Sequence, residues 1–452
     1  MTAVATEVFA AKVLGADGSD EEARDAGFDR ADTNARDTER EIDDAGASRG
    51  KAEFVPGPVT QPTRPPSGSD SWSDLCSLKP KHRFCLYVAP GIPTPVSFDA
   101  LAAADRAWDA VTNVLGVPEP VGMLDDPWPV YLTRDATRGS DAFFEARDPR
   151  SRFDEGASFA MVDPTLSPGC SLDFAFARAI ARGSLWRTIP AADPGSASAE
   201  SETLARLATP CAAPDSGDVR EFQAHPERCV VDARDPSFAR GAALFFDWLD
   251  GHFGARPAAI TLGMEALSPT TTRPAPWADG RWASSPTGFD VLRVSLANAL
   301  WKGSSLEEVF AAFAVDRAAL QPAPASAWTI AWPKPARRLA SPEPIAPTGS
   351  SYILIDRAGA APAARLRLEA QWEDYTRMRW TVLKRDSRRR VLSSISVRSL
   401  DRQTRASMTI DGLDGVDQVV VVAVNVGSTD HGFDPDQGEW EPHGWLLTVE
   451  GE

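Results

Sequence analysis

The stretch between Cys170 and Cys211 constrains the fold of this 452-residue chain more than any other. It contains two helical segments, and the first of them is apolar on more than one side. Such a helix is typical of the interior of a large domain, because a surface helix keeps a polar face. A short apolar strand, Ser158–Val162, precedes the pair. We therefore expect the folded core to be built around these two helices, with a cysteine at each end.

The order of elements around the helical pair predicts an α+β domain over residues 76–320. A strand ends at Ala89, a helix follows with Ser97 as its N-cap, a second strand ends at Thr133, and after a polar loop a third ends at Asp163. Beyond the central pair only helices are expected, over 238–253, 258–267, 288–300 and 306–320. Strands that precede the helices, rather than alternating with them, are typical of the α+β class.

The rest of the chain divides into three parts. Residues 1–75 are acidic and end in a Pro-rich run, so we expect a disordered tail that buries too little apolar surface to fold. Residues 321–349 are rich in Pro and Ala, which predicts a linker. Over residues 350–452 the apolar pattern changes to period two, and seven short strands separated by turn residues predict an antiparallel β-sandwich.

Three carboxylates in the helical pair are candidate catalytic groups. Asp173 follows Ser171 at the start of the first helix, and Glu200 and Glu202 follow Ser198 at the start of the second. A carboxylate in the first turn is favoured by the helix dipole, which is a sufficient structural role for each. Alternatively, Asp173 and one of the glutamates could act as the acid and base of a hydrolase. A cleft into which both carboxylates point would favour the hydrolase.

The order strand, helix, helix resembles the catalytic half of a zincin metallopeptidase of the gluzincin type. In that family the first helix carries H-E-x-x-H, whose histidines at i and i+4 reach one zinc ion, and a Glu on the next helix completes the site. Placing LDFAF over this motif puts Leu172 and Phe176 at the histidine positions and Asp173 at the general base. Glu200 and Glu202 fall where the third ligand would be. The resemblance implies a zincin-like fold whose zinc site has been lost.

This resemblance also implies what the protein does. We expect a non-catalytic, peptidase-like binding or structural protein with no cofactor and with a protein or peptide partner. The C-terminal sandwich is similar to the accessory β-domains that are appended to secreted peptidases. The abundance of Ala, Arg, Pro and Asp is typical of a high-GC bacterial genome.

The five cysteines bear on the compartment. Disulfides Cys76–Cys85 and Cys170–Cys211, with Cys229 free, would imply an oxidising environment such as the periplasm or the cell surface. The alternative is a set of buried thiols in a cytosolic protein. The first residues lack a basic n-region, so a signal peptide is not expected.

Charge and hydropathy exclude two classes of partner. The net charge is −17, which argues against nucleic acid and against an anionic membrane surface. The longest apolar runs are too short to cross a bilayer, so no membrane span is expected.

Two further segments carry candidate chemistry. His225 and Cys229 lie close enough in sequence for a nucleophile–base dyad, although a surface histidine explains the first equally well. An acidic, turn-rich segment suits calcium, which prefers oxygen ligands, and it would make the protein a calcium-dependent surface or adhesion module; a solvated loop is the alternative. The candidate calcium ligands are Asp430, Asp434, Asp436 and Glu439.

Overall fold

The structure is a computed structural model, and its described residues belong to one compact unit, Lys51–Glu452. The described residues are 65–123, 126–136, 140–147, 156–188, 194–253, 272–276, 282–284, 305–361, 364–374, 376–398, 403–428 and 442–452. The predicted tail up to residue 64 lies outside them, as do the helices expected over 258–267 and 288–300.

A five-stranded mixed sheet forms the centre of the N-terminal half. Its strands are β1 (Ser73–Cys76), β2 (Phe84–Val88), β3 (Trp128–Leu132), β4 (Ser140–Arg147) and β5 (Gly156–Val162). The spatial order is β1-β2-β3-β5-β4, in which the three inner strands are parallel and both edge strands are antiparallel to their neighbours. The inner strands are the three that the sequence predicts. Their nearly continuous apolar runs are expected of parallel strands that are covered on both faces.

The two edge strands correct the sequence-based picture. β4 occupies part of what we predicted to be a polar loop, and β1 begins inside the predicted disordered tail, so the folded region starts before residue 76. An edge strand pairs on one side only, and β1 is mostly exposed, which leaves little apolar signal to recognise. The Cys76–Cys85 disulfide joins β1 to β2 at directly opposed positions.

Seven α-helices are found in the described residues, and α2 is the central one. They are α1 (Thr94–Trp108), α2 (Cys170–Thr188), α3 (Pro194–Ala208), α4 (Ser216–Ala224), α5 (Pro236–Gly241), α6 (Ala243–Phe253) and α7 (Leu306–Arg317). α2 packs against α1, α3, β4 and β5. Its Trp186 is completely buried and donates its indole N–H to the carbonyl of Ala142 in β4, over 3.0 Å. The prediction of a core helix after the apolar strand is therefore confirmed.

Several helix boundaries differ from those predicted. α1 begins at Thr94, because prolines are favoured at its first turn, and the Ser97 hydroxyl donates to the Thr94 carbonyl instead of capping the helix. The helix expected over 238–253 is two helices, α5 and α6. α4 was not predicted, since it is short and largely polar; Asp215 caps it by accepting two backbone N–H groups.

The C-terminal part is a β-sandwich, as predicted, and every strand that was expected there is present. One sheet has the order β13-β12-β15-β10-β8 and the other β14-β11-β16-β9. Their bounds are β8 (Trp328–Ile330), β9 (Arg337–Ala340), β10 (Ser350–Asp356), β11 (Leu366–Trp372), β12 (Thr376–Arg385), β13 (Val391–Arg398), β14 (Arg405–Ile410), β15 (Gln418–Ser428) and β16 (Trp445–Gly451). A separate pair of strands, β6 (Thr272–Pro276) and β7 (Trp282–Ser284), lies in the region where we expected only helices, so that expectation was wrong.

The stretch 321–349 is not a plain linker. Its strand β8 pairs in parallel with β10, and its strand β9 pairs with β16, so it adds one edge strand to each sheet of the sandwich. Strands of three and four residues are too short to be recognised by periodicity.

β15 joins the sandwich to the helical half of the molecule. Val421 packs in the sandwich core, whereas Val420 and Val422 pack in the cluster that includes α7 and the first sheet. The strand is thus buried on both faces, which explains why its sequence is continuously apolar instead of alternating. Across this interface, the Tyr352 hydroxyl donates to the Ala314 carbonyl of α7 over 2.8 Å.

Candidate functional site

The positions that we aligned with zinc-binding histidines face the core. Leu172 and Phe176 are 3% and 0% exposed and belong to the main apolar cluster. A different face of α2 meets α3, and there Arg178 lies opposite Glu202, with Nη1 3.5 Å from Oε2. This contact joins opposite charges, and Arg178 lies two residues beyond Phe176, the last position of the aligned motif.

Asp173 is held away from this contact. Its carboxylate accepts two hydrogen bonds from Arg106 of α1, over 2.6 Å from Nη2 and 3.2 Å from Nε. The carboxylate also raises the pKa of Arg106, chiefly through these hydrogen bonds. A hydrolase that uses Asp173 with Glu200 or Glu202 is not supported by this arrangement, because the aspartate turns towards α1.

The two glutamates do not stand at a helix start. α3 begins at Pro194, so Glu200 and Glu202 lie in the interior of the helix. The helix dipole stabilises carboxylates only in the first turn, so it does not stabilise these two. They are 1% and 4% exposed. Burying a carboxylate to this extent is costly unless nearby charges compensate for the lost hydration, so these residues need a different explanation.

Glu202 sits in a network of charges that only partly compensates for its burial. Besides Arg178, the nearest cation is Arg206, whose Nη1 is 4.0 Å from Oε1. Arg206 binds Asp247 of α6 more closely, over 2.6 Å. Burial raises the pKa of Glu202, and the three arginines Arg178, Arg206 and Arg240 act in the opposite direction. Its Oε2 atom accepts no hydrogen bond.

Glu202 lies in the wall of a cleft of about 760 Å³ between the first half of α2, α3, α4 and α5. The Cys170–Cys211 disulfide forms part of its rim, and Phe174 and Leu166 give it an apolar wall. The lining residues are Leu166, Cys170, Ser171, Phe174, Ala175, Arg178, Glu202, Cys211, Ala212, Ala213, Asp215, Gly217, Asp218, Glu221, Asp235, Ser237 and Arg240. Asp173 is absent from this set.

The far wall of the cleft is held together by short polar contacts. Asp215 caps α4, and Asp235 caps α5. Between the helices, Arg240 donates to both carboxylate oxygens of Asp218, over 2.7 and 2.8 Å. Bidentate pairs of this kind fix the relative orientation of two elements as well as stabilising them.

We expect Gly241→Ala to open this wall and to lower the free energy of unfolding by about 2 kcal/mol, as overpacking does. A Cβ atom at Gly241 would lie 2.2 Å from the carbonyl oxygen of Asp218, so α4 and α5 would have to separate. Urea denaturation measures the loss. Gly251→Ala in α6 is the matched control, since nothing lies within 4 Å of its Cβ position and alanine favours the helix. Equal effects of the two substitutions would contradict the close approach.

The α6 side of the network predicts a pH effect. The pKa of Asp250 is raised to about 7 by burial and by the neighbouring Asp247. An acid whose folded-state pKa is raised lowers stability increasingly as the pH rises from about 4 to 7. Asp250→Asn should therefore raise the free energy of unfolding by roughly 1–2 kcal/mol at pH 8, with little change at pH 4. Denaturation at both pH values tests it; a larger gain at pH 4 would contradict it.

His225 and Cys229 belong to separate contacts. The His225 ring lies between Glu221 and Glu227, at 3.2 Å from each. Cys229 is a buried free thiol whose sulfur accepts from the Thr348 hydroxyl over 3.3 Å. No support for a nucleophile–base dyad comes from these contacts.

Both candidate disulfides are present, Cys76–Cys85 and Cys170–Cys211. The calcium candidates Asp430, Asp434, Asp436 and Glu439 lie outside the described residues. Within the described part of the chain, no group of three His, Cys, Asp or Glu side chains could hold a metal ion, and no helix has the length and hydropathy to cross a bilayer.

Sequence reasoning missed the arginines of α2, although a signal was available. Arg178 and Arg182 are the only charged residues in the otherwise apolar centre of that helix, and they are one turn apart. Arg182 is 2% exposed, and its guanidinium lies 4.6 Å from the centre of the Trp186 ring. Charged residues inside a core helix indicate a buried polar contact.

Comparisons with known proteins show no family. No protein-family model matches the sequence, and a search of curated proteins gave no significant match. Solved structures match only weakly. One match is the pre-peptidase C-terminal domain of a collagenase from Bacillus anthracis. The match covers 28% of this chain and 97% of that domain's chain, with 7% identity and a TM-score of 0.18. Another match is CorA, a surface-associated copper-binding protein of Methylomicrobium album BG8. It covers 28% of this chain and 99% of the CorA chain, with 9% identity and a TM-score of 0.19. At these TM-scores the similarity carries no argument.

Proposed function

We propose that this chain is a non-catalytic, peptidase-like protein that binds a ligand in the cleft between α2 and α5. The observation that carries the proposal is the contact of Arg178 with Glu202 over 3.5 Å. In a gluzincin, the first helix after the strand and the glutamate of the next helix hold a zinc ion between them. In the proposed layout, the guanidinium of Arg178 would stand where a gluzincin holds its zinc ion.

This contact suggests a second alignment of α2 with the H-E-x-x-H motif, which fits the position of Glu202 better than the first. If Arg178-Ala-Ile-Ala-Arg182 is placed over H-E-x-x-H, both histidine positions carry arginine and the general base is Ala179. Glu202 then keeps the position of the third ligand. An arginine cannot coordinate a metal because it stays protonated, and alanine cannot activate water. This register supports loss of catalysis more strongly than the alignment of Leu172 and Phe176.

We also propose that the protein works outside the cytoplasm. Disulfides form and persist chiefly in oxidising surroundings, and one of the two found here lines the cleft. A cleft that combines charged groups with an apolar wall is suited to binding, and the described residues contain no group of three metal-ligating side chains.

The zinc affinity of an Arg178→His/Arg182→His variant tests the proposed layout. With Glu202 as the third ligand, the variant should retain close to one equivalent of zinc after dialysis, whereas the wild type should retain far less. Adding Glu202→Gln should remove the gain. If the folded double variant held no more zinc than the wild type, the gluzincin layout would be contradicted.

A further inference from the structure

The cleft between α2 and α5 carries an excess of negative charge, and one of its carboxylates, Glu202, is almost completely buried. Five carboxylates and two guanidinium groups line it. Most of these carboxylates already have donors. Asp215 and Asp235 accept helix N–H groups, Asp218 accepts from Arg240, and Glu221 lies 3.2 Å from His225. Glu202 is the exception, because its Oε2 accepts no hydrogen bond although the residue is only 4% exposed.

We infer that the cleft binds a cationic side chain, lysine or arginine, of a peptide or protein partner, with Glu202 as the acceptor. This inference rests on the proposed binding function and adds the chemical class of the ligand. The Glu202 carboxylate has no hydrogen-bond donor at Oε2, and Arg178 approaches that atom only to 3.5 Å, so a cationic donor in the cleft would share this carboxylate with Arg178. Hydrogen bonds between an ionised donor and a carboxylate are about twice as strong as neutral ones.

The walls fit the rest of such a side chain. Leu166, Phe174 and Ala175 line the cleft, and they offer apolar surface to the methylene stem. The ring of Phe174 can also interact favourably with a nearby cation. The cleft volume of about 760 Å³ is in the range of sites for small ligands and peptide side chains.

An anionic ligand is less well matched. The start of α4 faces the cleft and would favour an anion by its dipole, but the backbone N–H groups of Gly217 and Asp218 already donate to Asp215. The guanidinium of Arg240 is taken up by Asp218. An acidic ligand would therefore meet the carboxylates of the cleft before it found a donor.

Peptide titrations test the inference on the full chain. The probes are fluorescently labelled pentapeptides Ala-Ala-X-Ala-Ala with X as arginine, lysine, citrulline or glutamate, and polarisation gives Kd. Citrulline has the shape of arginine without its charge. We expect the arginine or lysine peptide to bind at least about tenfold more tightly than the citrulline and glutamate peptides.

Two variants locate the effect. Glu202→Gln, which keeps the shape of the side chain, should remove the preference for the cation. Glu369→Gln is the matched control, since Glu369 is a half-exposed carboxylate of β11 that pairs with Arg367, and it should leave the preference unchanged.

The outcomes separate the two proposals. If all four peptides bind equally, and Ala213→Trp at the cleft wall weakens every one of them, the binding function stands and the cation inference is overturned. Preference for the glutamate peptide also overturns the inference. If none of the peptides binds at millimolar concentration, both the inference and a peptide-binding function fail.

Discussion

Replacing Cys170 and Cys211 by serine is expected to lower the free energy of unfolding by about 4 kcal/mol. The disulfide joins positions separated by 41 residues, and it closes a loop that contains both α2 and α3. Without it the unfolded chain gains the conformational entropy of that loop, while the folded chain loses the covalent tie between the start of α2 and the segment after α3. Urea denaturation of the wild type and the double variant measures the difference.

The second disulfide supplies the matched control. Cys76 and Cys85 are separated by only 9 residues, so their loop is short. Replacing them should cost roughly 2–3 kcal/mol, less than the first pair. The order of the two losses is the diagnostic result, because both variants lose one disulfide and differ mainly in loop length. A smaller loss for the Cys170 and Cys211 variant would contradict the loop argument.

Trp186→Ala is expected to lower the free energy of unfolding by about 4–5 kcal/mol, the upper part of the range for large aromatic residues in cores. Trp186 is completely buried and its indole N–H bonds to Ala142 in β4. The substitution removes the apolar ring, leaves a cavity between α2 and the edge of the sheet, and deprives a buried carbonyl of its donor. Thermal or urea denaturation followed by circular dichroism measures the loss.

Two control variants separate these contributions. Trp186→Phe keeps most of the ring but not the N–H group, so it should cost about 1–3 kcal/mol. Trp328→Ala removes an indole that is 37% exposed on the edge strand β8, and should cost about 1 kcal/mol. If Trp328→Ala destabilised the protein as much as Trp186→Ala, the placement of α2 against β4 would be wrong.

Much of the fold was predictable because buried strands and helices have recognisable patterns of apolar residues in the sequence. The inner strands β2, β3 and β5 and the strands of the sandwich from β10 onward were all expected. A strand that is covered on both faces has a continuously apolar sequence, and a strand that is covered on one face has an alternating one. β15 shows the limit of this reasoning: its run of valines predicts a strand, but only the structure shows that its second face packs in the cluster that includes α7.

Four of the elements that were missed share a physical cause. β1, β8 and β9 are short edge strands, and α4 is a short polar helix with a capping aspartate, so each depends on partners that lie far away in the sequence. Periodicity within a few residues cannot reveal such partners.

The candidate site depends on contacts that the sequence shows only in part. The sequence pointed to the two helices that meet at Arg178 and Glu202, but it took the starts of the helices as the explanation for Glu200 and Glu202. The positions that it aligned with histidines, Leu172 and Phe176, face the core. Both the role of the two glutamates and the alignment of α2 depend on where the helices begin. A shift of a few residues moves a carboxylate from the first turn of a helix to its interior. Arg178 became significant only through its distance to Glu202, which joins residues 24 positions apart.

The zinc content of the purified wild-type protein tests the central claim most directly. The claim is that the α2–α3 junction holds an arginine–glutamate contact in place of a catalytic metal. After incubation with zinc and dialysis against a metal-free buffer, elemental analysis should find well below one equivalent, and Glu202→Gln should give the same value. One tightly held equivalent that is lost in Glu202→Gln would contradict the claim.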